Sequence, residues 1–222
     1  MHRKVLFGVL ALSVVALCVI GYLYYAPTQS SVVPAHDSND RPNVTLTNDD
    51  RTMGDPNAPI LIVEYASLTC PHCAHFNEEI FPKLKAKYID TGKVYYVFRA
   101  FSRMSVDLAA EALARCVPKE NYFKVVDLLF ERQLDWDPEF QPLNVHDGLL
   151  SVARAAGMSD AQGDRCMNDQ ARLDRANQVG QEGEARYGIN ATPTFVVNGT
   201  VHPGQYEWGN LQKDLDALRA MR

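Results

Sequence analysis

The sequence lacks a basic excess. Its 222 residues carry 22 Lys and Arg against 27 Asp and Glu, a net charge of −5, so the positive footprint that a nucleic-acid partner requires is missing. A second metal-ligand pair is also lacking: one C-x-x-C is present, but no second C-x-x-C and no H-x(3)-H. A tetrahedral zinc site needs two further well-placed ligands, so no metal is expected. The composition, 46% hydrophobic and 22% charged, lacks the bias of disordered or fibrous chains and suits a globular unit with a sizeable core.

Charge is absent from Val5 to Tyr25, directly after the basic head Met1-His2-Arg3-Lys4. An apolar run of roughly 20 residues matches a bilayer core and exceeds the about 7 to 15 residues of a secretory h-region. Small residues are missing where cleavage would need them. Ala26 is followed by Pro27, Val33-Pro34-Ala35 lies far beyond the run, and Leu17 precedes Cys18. Residues 1–25 are therefore expected to be an uncleaved signal anchor contacting the membrane through residues 5–25, with a cleaved signal peptide as the alternative. Arg3 and Lys4 stay cytoplasmic by the positive-inside rule, which sends the rest across the membrane. The compartment beyond is one where disulfides persist. Cys18 is expected to be a membrane-embedded thiol without chemistry.

Residues 26–50 are polar and broken by prolines, and read as a flexible tether. From there the pattern alternates between strand and helix. Pro59 to Ala66 is aliphatic, β-branched and nearly continuous, as in a strand buried on both faces. Apolar residues from Phe76 to Tyr88 recur at helical spacing up to a stop at Gly92, and Val94 to Phe98 reads as a second strand. Strand signals then vanish over residues 105–186, where helices are expected at Leu108–Cys116, Asn121–Gln133, Asn144–Ala156 and Ala161–Tyr187. Thr194 to Val197 returns to strand, Asn198-Gly199 signals a hairpin, and a helix from about Glu207 to Met221 closes the chain. The domains are thus 51–104 with 187–222, an α/β unit, and 105–186, a helical insertion.

Cys70-Pro71-His72-Cys73 follows the first buried strand and opens a helix. At a helix start the first amides have no intrahelical partner, and with the dipole they favour negative charge on the nearest sulfur. Cys70 is therefore expected to be the low-pKa thiolate. Pro71 fits the first turn, and the His72 imidazole can donate to the thiolate or stabilise its charge. A stabilised thiolate is also a good leaving group, which suits a disulfide donor. Cys73 is expected to be the buried resolving thiol. A purely structural bridge is the bland alternative.

Two segments carry a resemblance. Val63-Glu64-Tyr65-Ala66-Ser67-Leu68-Thr69-Cys70-Pro71-His72-Cys73 resembles the active-site segment of the DsbA family, and Gly188-Ile189-Asn190-Ala191-Thr192-Pro193-Thr194-Phe195-Val196-Val197-Asn198-Gly199 is similar to its second landmark. The resemblance covers roughly residues 54–220. It implies an α/β fold, thioredoxin-like and interrupted by an all-helical insertion, which the anchor helix read above would precede. It further implies that Pro193 is cis and faces the cysteine pair, and that the Thr192 backbone binds an extended substrate segment. Glu64 matches the family's buried acid, a candidate proton acceptor for Cys73, with a water-facing strand-end carboxylate as the alternative. Thr192 stands where the best-known enterobacterial member has valine.

Cys116 and Cys166 remain, and in an oxidising compartment they are expected to pair. Such a bridge closes a loop of about 50 residues and stabilises by a few kcal/mol in the loop-entropy treatment. The expected activity is thiol-disulfide oxidoreduction in the periplasm, donating disulfides to exported proteins with free thiols. The resemblance implies reoxidation by a DsbB-like membrane protein, with no organic cofactor. The short tether leaves no room for the dimerisation domain of DsbC-type isomerases, so a monomer is expected. The rivals are an isomerase or reductase of the same fold, and a membrane-tethered peptide-binding chaperone with structural cysteines.

Overall fold

The computed structural model describes residues 44–140, 144–204 and 206–220. The expected anchor and most of the tether lie outside these residues. Among the described residues no helix is long and apolar enough to cross a membrane.

Five strands form one sheet: β1 (Arg51–Met53), β2 (Ile60–Ala66), β3 (Val94–Ala100), β4 (Thr194–Val197) and β5 (Thr200–Pro203), in spatial order β1-β3-β2-β4-β5. The β2/β3 pair is parallel, with Ile62 opposite Tyr96 and Glu64 opposite Phe98. The other pairs are antiparallel. Every residue of β2 is buried, because the central strand is covered on both faces and its aliphatic run leaves no polar side for water. Asn198 and Gly199 both take positive φ, 46° and 88°, the conformation a two-residue hairpin turn demands. Asn198 also joins this turn to β2, its side-chain oxygen accepting from Leu61 N at 2.8 Å and its amide donating to Leu61 O at 2.9 Å.

One face of the sheet is covered by α1 (Pro71–His75). This helix runs on through π-type turns (Phe76–Ile80, Lys85–Ile89) and an α-helical turn (Phe81–Leu84). Pro82 cannot donate the bond an unbroken helix needs there, and the Phe81 amide reaches back five residues to Phe76 O. The insertion follows as α2 (Ser105–Ala114), α3 (Tyr122–Glu131), α4 (Gln133–Trp136), α5 (Val145–Ala155), α6 (Asp160–Met167) and α7 (Gln170–Tyr187), and α8 (Trp208–Ala220) closes the chain. Where one helix was expected from Ala161 to Tyr187, there are two. The Asp169 side chain accepts from Arg172 N and starts α7 afresh, a cap that competes with helix continuation.

Residues Ile60, Ile62, Ala66, Phe98 and Phe195 point into the main core shared with the insertion, while Leu61, Val63, Tyr65, Val97 and Val196 form a second core. The tether ends earlier than expected. Val44 is buried in the second core, and Asp50, itself buried, takes two hydrogen bonds of 2.9 Å from Arg99. Asp49 pairs with Arg115, just past α2, at 3.0 Å and with Arg175 of α7 at 2.8 Å. These partners are distant in sequence, so no local period announced them.

Helix α5 crosses α4 at Gly148, where a β-carbon would lie 2.4 Å from Asp135 O and 2.7 Å from Trp136 Cα. Main chain cannot yield as a flexible side chain does. Gly148→Ala is therefore expected to destabilise the fold by about 1–3 kcal/mol, despite the better helix propensity of alanine. Urea unfolding should show a lower midpoint with an unchanged slope.

Candidate active site

The turn Ser67-Leu68-Thr69 carries the chain from the end of β2 to Cys70. Cys70 is extended (φ −87°, ψ 118°) and Pro71 occupies the first helical turn, where its missing N–H costs nothing. The helix folds back at once: the amides of Cys73 and Ala74 donate to Cys70 O, each at 3.0 Å. Both thiols are unbridged and buried, Cys70 at 1% and Cys73 at 0% exposure. Pro71 and His72 are exposed.

The insertion grips the turn ahead of Cys70. Asp107, buried in the first turn of α2, accepts from Ser67 Oγ at 3.1 Å, Thr69 N at 2.9 Å and Thr69 Oγ1 at 3.2 Å. The same carboxylate accepts from the Arg103 and Met104 amides at 2.8 and 3.0 Å. Gln133 of α4 donates to Leu68 O at 2.7 Å. Donors converging on one buried carboxylate satisfy its charge without a cation.

From the opposite side comes the segment before β4. The Thr192–Pro193 peptide bond is cis, and the Cys70 thiol donates to Thr192 O at 3.4 Å. Thr192 Oγ1 is buried with no other hydrogen-bond partner. Its hydroxyl helps to hold the Cys70 thiolate.

The two sulfurs are driven apart in proton affinity. A hydrogen bond from the Cys73 thiol, joined by the Thr192 hydroxyl and the amides of Cys73 and His72, outweighs burial and lowers the Cys70 pKa to about 5. The backbone amide of His72 is one of these donors. Burial pushes the Cys73 thiol well up, and its bond to Cys70 acts in the same direction. Because the folded pKa of Cys70 lies below that of an unfolded thiol, its ionisation stabilises the reduced fold. That stabilisation is fully present only above the unfolded pKa and is lost as pH falls through about 5.

Glu64 lies in β2, at 2% exposure, on the face that carries α1. It is not a strand-end carboxylate in water. Burial raises its pKa to about 8, a hydrogen bond from Tyr96 opposes this, and the Cys70 charge adds to it. Away from the redox pair, Cys116 and Cys166 are disulfide-bonded with Cα atoms 5.9 Å apart, joining the chain just past α2 to α6. Tyr96, Asp107 and Gln133 were missed in the sequence. Each lies on a strand or helix among residues of mixed character, and nothing in its local sequence names its partner.

A family model described as thioredoxin matches residues 46–217. A protein of Rickettsia typhi named as a protein-disulfide oxidoreductase is 30% identical over 217 residues, covering 86% of this chain and 77% of the relative. The crystal structure of Wolbachia pipientis alpha-DsbA1 matches with a TM-score of 0.70 at 32% identity, covering 78% of this chain and 92% of that one. The chain belongs to the DsbA family. It is a protein thiol-disulfide oxidoreductase. Chlamydia trachomatis DsbA, at 20% identity and a TM-score of 0.69, shares the fold.

In this DsbA-family chain, reaction of Cys70 with iodoacetamide should follow its ionisation, negligible well below pH 5 and reaching its plateau above, with a midpoint at about 5. Cys73 should stay unmodified, as mass spectrometry of the alkylated protein would report. A midpoint near the ordinary thiol value of about 8.5 contradicts the electrostatics described above.

Proposed function

We propose that this chain donates disulfide bonds to exported proteins in the periplasm, using the Cys70–Cys73 pair as the oxidant. The observation that carries this reading is the stabilised Cys70 thiolate beside the Thr192–Pro193 edge. A sulfur that is stable as a thiolate is a good leaving group and a poor holder of a disulfide, so electrons flow to it from substrate thiols.

In the oxidised form, a substrate thiolate attacks Cys70 Sγ and the Cys70–Cys73 bond breaks. Cys73 leaves as a thiolate and takes a proton. A second substrate thiolate then attacks the substrate sulfur of the mixed disulfide, releasing Cys70 as its stabilised thiolate and leaving the substrate oxidised. Glu64 is the proton donor to Cys73 in this direction and the acceptor on reoxidation. A carboxyl held to about pH 8 stays largely protonated at neutral pH and can do both. Keeping it buried favours the fold only below its unfolded pKa, an advantage lost as pH rises through about 8. Its place is better explained by proton transfer than by stability.

The Thr192 backbone, next to the Cys70 sulfur, offers extended-strand hydrogen bonds to a bound substrate segment. Residues 5–25 anchor the chain in the inner membrane, with residues 26–43 as the tether, which keeps the site near a DsbB-like reoxidant. The chain works as a monomer. The Cys116–Cys166 bridge has a structural role, away from the redox pair.

The test is oxidation of a reduced, unfolded protein whose activity returns only with its disulfides. The oxidised chain should supply one disulfide per molecule, Cys70→Ser should supply none, and Cys73→Ser should accumulate a mixed disulfide at Cys70. Full activity of Cys70→Ser sinks the proposal in favour of a peptide-binding role. Faster reduction of substrate disulfides than oxidation of thiols makes it a reductase.

A further inference from the structure

Glu64 needs a partner, and the usual partner of a buried carboxylate is a cation. Among the described residues none pairs with it: its proton affinity is set by burial, the Tyr96 hydrogen bond and the Cys70 charge. Tyr96 lies on β3 opposite Ile62, two residues from the strand position opposite Glu64, and its hydroxyl donates to Glu64 Oε2. The ring cannot swing away. It is 2% exposed and sits against Phe81, at 4.9 Å between centroids, and Phe123, at 6.1 Å.

The geometry points to Tyr96 as a positioning residue of the redox reaction: its hydroxyl orients the Glu64 carboxylate beneath the cysteine pair and sets how readily that carboxylate accepts the Cys73 proton. The inference rests on the proton-transfer role of Glu64 given above. A bland reading has Glu64 merely satisfying a buried phenol. A main-chain oxygen would do that without the desolvation cost of a carboxylate, and a buried hydroxyl loses little by such an exchange. The arrangement therefore serves the acid. A hydrogen bond to the ionised form favours that form, so Tyr96 holds the Glu64 pKa lower than burial alone would leave it. The other titratable groups facing this pair are Cys70, just ahead of α1, and Cys73 within it, and Tyr122 and Asp127 from α3, which face Tyr96. From β4 the neighbour of Glu64 is Phe195, which carries no charge.

The step to measure is closure of the pair. Dithionitrobenzoate first forms a mixed disulfide with Cys70. Cys73 then passes its proton to Glu64 and its sulfur lone pair attacks Cys70 Sγ. The Cys70–Cys73 bond forms, the bond to the aryl sulfur breaks, and thionitrobenzoate leaves with that electron pair. Two thionitrobenzoates are released in sequence, each visible by absorbance. The experiment uses the reduced full chain in detergent, in a Cys18→Ser background so that only the redox pair reacts.

In the wild type the second release should rise with pH to a midpoint below about 8, because the mixed disulfide removes the Cys70 charge that helps raise Glu64 in the reduced protein. Tyr96→Phe should move that midpoint up by about one pH unit, slowing release about tenfold at neutral pH, while the first release keeps its profile. Tyr96→3-fluorotyrosine, a stronger donor of nearly the same shape, should move it down. A midpoint that stays fixed in both variants overturns the proposal, even if rates fall uniformly. If Tyr96→Phe does not fold, the fluorotyrosine variant decides alone. Glu64→Gln should abolish the inflection. An inflection that survives in Glu64→Gln removes the base role of Glu64 itself, whereas its loss there, with no shift from Tyr96, leaves that role and sinks only the role of Tyr96.

Discussion

The sulfur of Cys70 has to carry a negative charge where almost no water reaches it. Burial alone would push its proton affinity up, so the surrounding groups must more than offset the lost solvation. The leading groups are hydrogen-bond donors: one thiol, one hydroxyl and two amides. Hydrogen-bond donors act only at short range and in the right direction. The sulfur therefore has to be held in place, and much of the architecture serves that end. β2 brings the chain to the site through the middle of the sheet, α1 begins at the sulfur, and the segment before β4 closes from the other side. The insertion fixes the intervening turn through Asp107 and Gln133, so two parts of the fold distant in sequence meet at one short loop.

Two thiols one helical turn apart are given opposite chemistry by the burial of Cys73 and by a hydrogen bond they share. The bond from Cys73 to Cys70 stabilises the anion of one and the neutral form of the other. Charge at Cys70 also raises Glu64, so the three groups titrate as a coupled set. In the proposed reaction a proton leaving Cys73 needs an acceptor that is buried with it, and Glu64 on β2 is placed to be that acceptor. Burial raises the carboxyl into the range near neutral pH, which is what the proposed proton exchange requires.

Much of this was legible in the sequence. The long aliphatic run before Cys70 suits a doubly covered strand, and Asn198-Gly199 signals a tight hairpin. The spacing of the two cysteines at a helix start gave the direction of the Cys70 shift before any coordinates. What could not be read depends on contacts between distant residues. Tyr96 reaches Glu64 because β3 lies beside β2 in parallel register, and the sequence carries no mark of that register. Asp107 looks like an ordinary acid in a first helical turn, and its partners lie some 40 residues earlier. Residues 44–50 looked like a continuation of the tether because their order comes from Arg99, Arg115 and Arg175, not from any local period. The division between α6 and α7 turned on one capping side chain.

The central claim is that the reduced form, with its stabilised thiolate, is favoured strongly enough to make the disulfide an oxidant. The most direct measurement is the equilibrium of the Cys70/Cys73 couple with glutathione in the full chain, with Cys116 and Cys166 intact. The account predicts a potential near the oxidising end, around −120 mV, the value of the well-known DsbA couple. A potential around −270 mV, that of thioredoxin, would contradict it, because a couple there gives electrons to substrates and does not take them.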